Sequence, residues 1–347
     1  DSVNKKQIIV SLSAGYDSRL IVSCLRELSY ENVVCFTYGR SGNFEVNTSK
    51  MVADSLGYKW IYVKDTIREK RAFYKSSTYN NYINLFESYA SVPSTQDIYE
   101  IYTLKKRGII NIDAVFVNGN AGDFISGGHI PGNLSLKKDL ISYNEIDWNL
   151  FLDKHYSIWK KLRNSLNDKI ITSNLSQLVL ERLKFEKHDK VYMYSLMETM
   201  EYMGRQSRIV IGQQRSYEFI GHEWRLPFWS EDFLNFWEKV PLEYKVDQLL
   251  YKDSITEDNW GGVWKGIEVN KKIIKPNILR FTRLIVKLIM VPFGRKKWHR
   301  VERNIFVYWM HPSYSRTVTS YLNMLFDLRG EKNTTSWTAD QFIKRNG

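Results

Sequence analysis

The chain of 347 residues carries 50 Lys and Arg against 38 Asp and Glu, a formal net charge of +12, and 43% of its residues are hydrophobic. These values are those of an ordinary globular protein with room for two domains or one large domain. The positive charge is compatible with nucleic acid, an anionic membrane surface or an anionic substrate. Without a motif for any of these partners, it indicates solubility alone.

The two cysteines, Cys24 and Cys35, exclude a disulfide framework and a cysteine-based metal site. Their scarcity favours a reducing compartment, and we expect a cytoplasmic protein. No signal peptide opens the chain, which begins with Asp1 rather than Met. We therefore expect a processed chain or a fragment whose natural N-terminus lies upstream.

Strand and helix signals alternate through residues 1–150, which we expect to form the sheet domain. Short β-branched or aromatic runs bounded by turn residues predict four strands, at 7–12, 32–39, 59–63 and 114–119. An apolar stripe from Leu20 to Leu28 predicts a helix after the first strand, and a second predicted helix stops at Gly57. This alternation predicts right-handed crossovers and an α/β fold with a doubly wound parallel sheet. Ligands of such sheets bind at the carboxyl ends of the strands.

Residues 151–270 have a mostly helical pattern, and residues 271–347 form a basic, aromatic-rich extension without an interpretable motif. Four methionines recur at helical spacing and predict core packing: Met193, Met197, Met200 and Met203. The apolar run 284–293 is interrupted by Lys287 and is far too short to span a bilayer. We expect it to be a buried helix with a solvated end. The alternative is a helix that docks on a membrane surface or on a partner.

The stretch SAGYDS, residues 13–18, lies between the first predicted strand and the first predicted helix. It lacks the Gly-Lys-Ser/Thr ending of a Walker loop and the G-x-G-x-x-G dinucleotide fingerprint. Ser-x-Gly-x-Asp-Ser after a strand is instead typical of the pyrophosphatase-type loop of enzymes that convert ATP to AMP. Gly15 allows the backbone to approach an oxyanion, Ser13 and Ser18 offer hydroxyls, and Asp17 suits the Mg²⁺ that accompanies phosphates. The alternative is a plain helix cap.

Two further stretches follow in order. NGNAGDFISGG, residues 118–128, follows the fourth predicted strand, and GHEWRLPFW, residues 221–229, contains Glu-x-Arg-x-Pro-Phe. Together with SAGYDS they resemble the synthetase domain of the asparagine synthetase family, to which β-lactam synthetases are related. The family pattern is S-G-G-x-D-S, then G-[DE]-G-x-D-E-x-x-G-G, then E-x-R-x-P-F. The resemblance covers about residues 7–270 and implies an ATP-pyrophosphatase type of fold, adenine nucleotide alpha hydrolase-like, whose helical part at 151–270 completes the active site.

The resemblance also assigns site residues by position. The implied ATP-binding residues are Leu12, Ser13, Gly15, Asp17, Ser18, Tyr38, Gly39, Asn118 and Gly119. Asp17 and Asp123 match the carboxylates that would bind Mg²⁺. Glu223 matches a glutamate that takes part in deprotonating the attacking amine in the lactam-forming relatives, and Lys265 matches a lysine that stabilises charge during adenylation. On the residues alone, Glu223 and Arg225 could equally form a buried ion pair, and Lys265 could be a surface lysine.

The chain departs from the family pattern at three positions. Asn120 stands where the second motif has an acidic residue that serves in forming the acyl-adenylate, and Phe124 stands where an acid follows the metal aspartate. Ala14 replaces a glycine of the first loop. Because an amide neither carries charge nor acts as a base, Asn120 could serve the reaction only by orienting a group through hydrogen bonds. These changes argue against L-aspartate as the substrate. No metal or nucleophile spacing involves His129, and we expect it to be incidental.

The implied function is an asparagine synthetase-like ligase with ATP and Mg²⁺. It would activate a small-molecule carboxylate as an acyl-adenylate, form an amide with ammonia or an amine, and release AMP and pyrophosphate. Neither cysteine suits a glutaminase nucleophile, so a glutaminase-like domain would lie upstream of Asp1 or be absent. We expect no nucleic-acid partner and no membrane span. The alternatives are a catalytically degenerate ATP-binding or scaffold homologue, and an RNA-modifying enzyme, which would predict a catalytic cysteine pair or an appended RNA-binding module.

Overall fold

A computed structural model describes residues 2–64, 66–86, 91–132, 140–156, 163–270, 277–310, 317–327 and 334–346. Its strands are β1 (Ile8–Ser11), β2 (Val33–Gly39), β3 (Lys59–Lys64), β4 (Val115–Val117), β5 (Leu140–Ser142), β6 (Lys190–Tyr192) and β7 (Glu223–Arg225). Five of them form one parallel sheet in the order β3-β2-β1-β4-β7, and β5 pairs with β6 in a separate antiparallel ribbon. The predicted α/β fold with a parallel sheet is confirmed, and its first four strands are those expected from the sequence.

The sheet has a switch point beside its central strand. The chain runs from β1 outward to β2 and β3 on one side, then returns to add β4 and β7 on the other side. Ile8 of β1 pairs with Val33 of β2 and with Val115 of β4. Open α/β sheets bind ligands in the crevice where the strand order reverses, outside the carboxyl ends of the strands. In this chain that crevice lies after Ser11 and Val117.

Both faces of the sheet are buried. Alternate residues of β1 point to opposite faces, and Ile8 and Val10 enter one apolar cluster with Leu20, while Ile9 enters another with Phe36. The helices around the sheet are α1 (Tyr16–Glu27), α2 (Phe44–Ser55), α3 (Ile67–Tyr74), α4 (Ser77–Leu85) and α5 (Ile98–Lys106). Helices therefore cover the sheet on both sides, as a doubly wound arrangement requires.

The second half is mainly helical. It contains α6 (Trp148–His155), α7 (Ser165–Gln177), α8 (Met193–Glu201), α9 (Ile211–Gln213), α10 (Arg215–Phe219), α11 (Glu231–Lys239), α12 (Leu242–Lys245) and α13 (Leu249–Asp258). Met193, Met197 and Met200 are buried in a cluster with Phe151 and Val179. The prediction that the methionine stripe packs in a core is confirmed for these three residues.

The C-terminal part consists of α14 (Asn277–Met290), α15 (Arg295–Val301), α16 (Val307–Met310), α17 (Tyr321–Phe326) and α18 (Thr334–Asn346). The expectation that the run 284–293 forms a buried helix is wrong, because α14 contains no buried residue and leaves most of its apolar side chains exposed. The sequence pattern indicates that one face of this helix is apolar, but it does not indicate what covers that face. Within the described ranges, no helix is long and apolar enough to cross a membrane.

Candidate functional site

A cavity of about 420 Å³ opens at the carboxyl ends of β1, β2 and β4, the switch point of the sheet. Most of the predicted ATP-binding residues line it: Leu12, Ser13, Gly15, Asp17, Ser18, Tyr38, Asn118 and Gly119. Asn120 and Asp123 line it as well. Gly39 ends β2 beside the cavity without lining it, and its carbonyl accepts a 2.6 Å hydrogen bond from the Tyr62 hydroxyl. Residues separated by more than a hundred positions in the chain thus share one crevice.

The first loop folds around two hydroxyl groups. The Ser13 N–H donates to Ser18 Oγ at 3.0 Å, the Gly15 N–H donates to Ser13 Oγ at 3.1 Å, and the two hydroxyls lie 3.0 Å apart. Helix α1 then begins with Gly15 as its N-cap, and no side chain caps its first turn. The first N–H groups of a helix lack partners within the helix and attract anions. The loop therefore has the form of an oxyanion cradle.

The second motif packs directly against the first. A Cβ atom on Gly119 would stand 2.6 Å from Cβ of Asp17, and one on Gly122 would stand 2.8 Å from Asp17 Oδ1. Both distances are below those of real Cβ contacts, so only glycine allows this approach. Ala121, between them, has a φ of +77°, a conformation that L residues rarely adopt. Such strained backbone is concentrated at functional sites.

Asp17 and Asp123 form a coupled pair of carboxyl groups. Burial and the charge of Asp123 raise the pKa of Asp17 to about 7. The Tyr251 hydroxyl donates to Asp17 Oδ1 at 2.9 Å. Burial acts to raise the pKa of Asp123 too, but hydrogen bonds from His129 and the Phe124 N–H, with the charge of His129, hold it below its ordinary value. A bound cation would reduce the repulsion between these two carboxylate charges.

His129 is not incidental, which corrects the expectation from the sequence. Its Nε2 lies 3.0 Å from Asp123 Oδ2, and its Nδ1 contacts Glu201, which is almost completely buried. Burial acts to lower the pKa of His129, but the two carboxylates raise it to about 9. Arg205 contacts the same Glu201 oxygen, Oε1, at 3.0 Å, and Lys154 contacts the other oxygen, Oε2, at 2.7 Å. His129 therefore positions Asp123, and no spacing in the sequence signals it because Glu201 follows 72 residues later.

The donor set fits Mg²⁺ held together with phosphates. Nowhere in the described part of the chain do three or more His, Cys, Asp or Glu side chains converge as a metal site. Mg²⁺ in nucleotide enzymes is bound by one or two carboxylates and completes its shell with water and substrate phosphates. Asp17 and Asp123, beside the cradle of Ser13 and Gly15, match that requirement.

Four residues that line the cavity are linked by hydrogen bonds. Asn118 Nδ2 donates to Gln214 Oε1 at 2.7 Å, and the Tyr217 hydroxyl donates to Asp97 Oδ2 at 3.0 Å. Tyr217 also stacks on Phe116 of the sheet with ring centres 4.4 Å apart. Burial raises the pKa of Asp97. These groups are preorganised donors and acceptors of the kind that orient a polar ligand.

The cavity is acidic. Its lining includes Asp17, Glu45, Asp97 and Asp123, and among the described residues no lysine or arginine lines it. An unaccompanied triphosphate would meet four carboxyl groups there. Any phosphate ligand would therefore need a cation bound with it.

Glu223 lies away from this cavity. It begins β7 opposite Val115, at the amino edge of the sheet, whereas Asn118 follows the carboxyl end of the neighbouring strand. Its carboxylate is half exposed and contacts Lys6 at 2.9 Å and Arg225 at 2.8 Å. The ion pair considered as an alternative is thus present, although exposed rather than buried. The structure therefore does not bring Glu223 together with the other predicted site residues, because Glu223 is at the first residue of β7 and the cavity lies beyond the carboxyl ends of the strands.

Three other positions complete the comparison with the predicted site. Lys265 is exposed and does not line the cavity, and its backbone N–H donates to Asn259 Oδ1 at 3.1 Å. Phe124 is buried in the main apolar cluster, so a core side chain stands where the resembled pattern has an acid. Asn120 lines the cavity, and its N–H donates to Asn118 Oδ1 at 3.0 Å.

No sequence pattern indicated the structural role of Arg19. This side chain is fully buried, and its guanidinium donates to the carbonyls of Val263, Ile267 and Glu268 at 3.0 to 3.3 Å. It lies over the Trp264 ring at 5.3 Å. Arg19 thereby fastens residues 263–268 to the first turn of α1. Its partners lie 244 to 249 residues further along the chain, so no local pattern could have indicated them.

Comparisons with known proteins do not extend these assignments: no protein-family model matches the chain, and no curated protein matches it.

Proposed function

We propose that the chain is an ATP- and Mg²⁺-dependent ligase that joins a carboxylate to ammonia or an amine, with AMP and pyrophosphate as products. One observation carries the proposal. The two glycine motifs interlock at the switch point of the sheet, with Gly119 and Gly122 packed on Asp17 beside an uncapped helix start. This arrangement joins a phosphate cradle to a carboxylate pair.

The proposed reaction has two displacements. The substrate carboxylate attacks the α-phosphorus of ATP, and the bond to the bridging oxygen breaks to release pyrophosphate. The amine then attacks the acyl carbon of the adenylate, loses a proton and displaces AMP. Ser13, Ser18 and the first N–H groups of α1 would bind the departing pyrophosphate. Bound Mg²⁺ would neutralise phosphate charge there, with Asp17 and Asp123 as its protein ligands.

A general base in the cavity would accept the proton of the amine. Glu223 does not line the cavity, and its carboxylate is paired with Lys6 and Arg225. Glu45 and Asp97 line the cavity, and burial raises the pKa of both. A raised pKa brings a carboxyl group closer to the working pH, which favours general base catalysis. We assign that task to this pair within the proposal.

Nucleotide binding comes first in testing the proposal. Calorimetric titration with a non-hydrolysable ATP analogue and Mg²⁺ should show binding that Asp17→Asn weakens and that Asp113→Asn, on the exposed surface, leaves unchanged. Equal affinity in all three proteins would show that the loop containing Asp17 does not bind the nucleotide. With a carboxylate substrate present, ADP and phosphate as the main products would exclude the proposed chemistry.

A second candidate is a nucleotide-binding protein without ligase activity. The burial of Phe124 in the core and the absence of a lysine or arginine from the described cavity lining favour it. Nucleotide binding without pyrophosphate release from any tested carboxylate and amine would support this candidate over the ligase.

The RNA-modifying alternative has less support. One of the two features that it predicts is a reactive cysteine pair, whereas burial raises the pKa of Cys24 to about 11 and that of Cys35 to about 12. Thiols with such pKa values are protonated at neutral pH and are poor nucleophiles.

A further inference from the structure

Helix α14 carries its apolar face on the outside. Six large apolar side chains of this helix leave between 42% and 71% of their surface exposed: Ile278, Phe281, Leu284, Ile285, Leu288 and Ile289. At about 100° per residue they occupy one arc of about 140°. Val291 and Phe293 extend this surface beyond the helix. We call these eight residues the α14 apolar face.

The other side of α14 rests on the protein. Leu279, Arg283, Val286 and Met290 recur at helical spacing and are the half-buried residues of the helix. Arg283 Nε donates to Glu302 Oε1 at 2.5 Å, which ties α14 to the segment that follows it. Packing thus orients α14 with the α14 apolar face toward the solvent. An exposed apolar surface of this extent marks an interaction site.

The segment of chain that carries the α14 apolar face is strongly basic. Residues 277–303 contain eight basic side chains: Arg280, Arg283, Lys287, Arg295, Lys296, Lys297, Arg300 and Arg303. The same range contains one acidic residue, Glu302, which is paired with Arg283. Arg280 and Lys287 lie on the helix beside the apolar arc, and Lys296 and Lys297 are exposed just after it. A partner that complements both the α14 apolar face and these basic side chains has an apolar interior and an anionic surface.

We propose that α14 and the basic segment 294–303 dock the protein on an anionic phospholipid membrane, with the helix axis in the plane of the bilayer. The α14 apolar face would enter the boundary between headgroups and acyl chains, and the basic residues would contact lipid phosphates. A nucleic acid would leave the apolar face uncovered. A second copy pairing through this face would bring two such clusters of positive charge together, which opposes association.

Vesicle flotation with the full chain tests the proposal. The protein should float with vesicles of phosphatidylcholine mixed equally with phosphatidylglycerol, and hardly at all with phosphatidylcholine alone. Raising the salt concentration should reduce binding. Equal binding to both vesicle types, or binding to neither, would overturn the proposal.

Paired variants locate the surface. Phe281→Ser/Leu288→Ser should abolish flotation, and Lys296→Glu/Lys297→Glu should weaken it by at least about tenfold, because each basic residue near an anionic surface contributes to partitioning. Ile112→Ser, which changes an apolar residue 92% exposed elsewhere, and Lys184→Glu/Lys187→Glu, which removes equal charge elsewhere, are the matched controls. Flotation that falls equally in the controls would overturn the proposal.

Light scattering distinguishes a second copy as the occupant. The chain should be monomeric through this face, so that Phe281→Ser/Leu288→Ser leaves the molar mass unchanged. A dimer that this variant dissociates would assign the α14 apolar face to self-association instead of a membrane. Circular dichroism of the variant should match that of the parent chain, which separates loss of docking from loss of fold.

Discussion

Replacing Gly119 by alanine tests whether the two glycine motifs form one site. A Cβ atom at this position would stand 2.6 Å from Cβ of Asp17, 2.8 Å from its carbonyl carbon and 3.0 Å from the Ser18 nitrogen. Two of these three atoms belong to the backbone at the start of α1, so a side-chain rotation cannot relieve the overlap. The φ of Gly119 is not in the left-handed region. The effect of the substitution is therefore steric alone.

The distances set the size of the effect. Non-bonded carbon atoms pack about 3.5 to 4.0 Å apart, so Asp17 and the loop must separate by roughly 1 Å. Overpacking of this kind costs about 1 to 3 kcal/mol of the free energy of unfolding. A displaced carboxylate should weaken binding of a nucleotide with Mg²⁺ by about 10- to 100-fold, the range found when the support of a metal ligand is disturbed.

Urea denaturation and calorimetric titration measure the two quantities separately. Gly204→Ala is the matched control, because Gly204 lies in a helical segment and a Cβ there would meet no atom within 4 Å. That control should keep nucleotide affinity and gain up to about 1 kcal/mol of stability. If Gly119→Ala is as stable as the parent chain and binds the nucleotide equally well, the close approach of the two motifs is refuted.

Four further predictions concern other features. Lys70→Met should cost about 3 to 5 kcal/mol of stability in urea denaturation, because it leaves the buried Glu100 charge without its partner at 2.5 Å; adding Glu100→Gln should restore part of that loss, and no recovery would contradict the reasoning. Burial lowers the pKa of His155 to about 4, so between there and pH 6.5 the unfolded chain binds a proton that the folded chain does not. Taken alone, His155 should thus lower the free energy of unfolding by about 2 kcal/mol from pH 7 to pH 5, whereas the raised pKa of Asp17 acts in the opposite direction over the same interval. The difference between the pH profiles of His155→Gln and the parent chain in urea denaturation measures the His155 contribution, and parallel profiles would contradict it. Glu223→Gln should leave nucleotide affinity and turnover unchanged in the same assays, whereas a large loss would return Glu223 to the site. Aspartate with ammonia should yield no asparagine by amino-acid analysis, and Asn120→Glu should gain slow activity; rapid synthesis by the parent chain would refute the role given to the neutral amide.

Local sequence patterns were enough to predict the sheet and the position of the crevice at its carboxyl edge. Each of the first four strands is a short apolar run bounded by turn residues, and such signals depend on neighbours a few positions away. The residues of SAGYDS and NGNAGD follow directly on β1 and β4, so their place at the carboxyl edge also follows from local order. The burial of Met193, Met197 and Met200 could be predicted for the same reason, since helical spacing is a local property.

Contacts between side chains that are distant in sequence depend on the tertiary structure. Arg19 and His129 reach partners 72 to 249 residues away, and only the packed fold brings those partners within hydrogen-bond distance. The motif that contains Glu223 was predicted to lie at the site. The pairing of β7 with β4 instead places Glu223 at the opposite edge of the sheet. For α14, periodicity shows that one face is apolar, and the packing of Leu279 and Val286 turns that face outward. Periodicity records the composition of a face, whereas its environment depends on long-range contacts that no local pattern encodes.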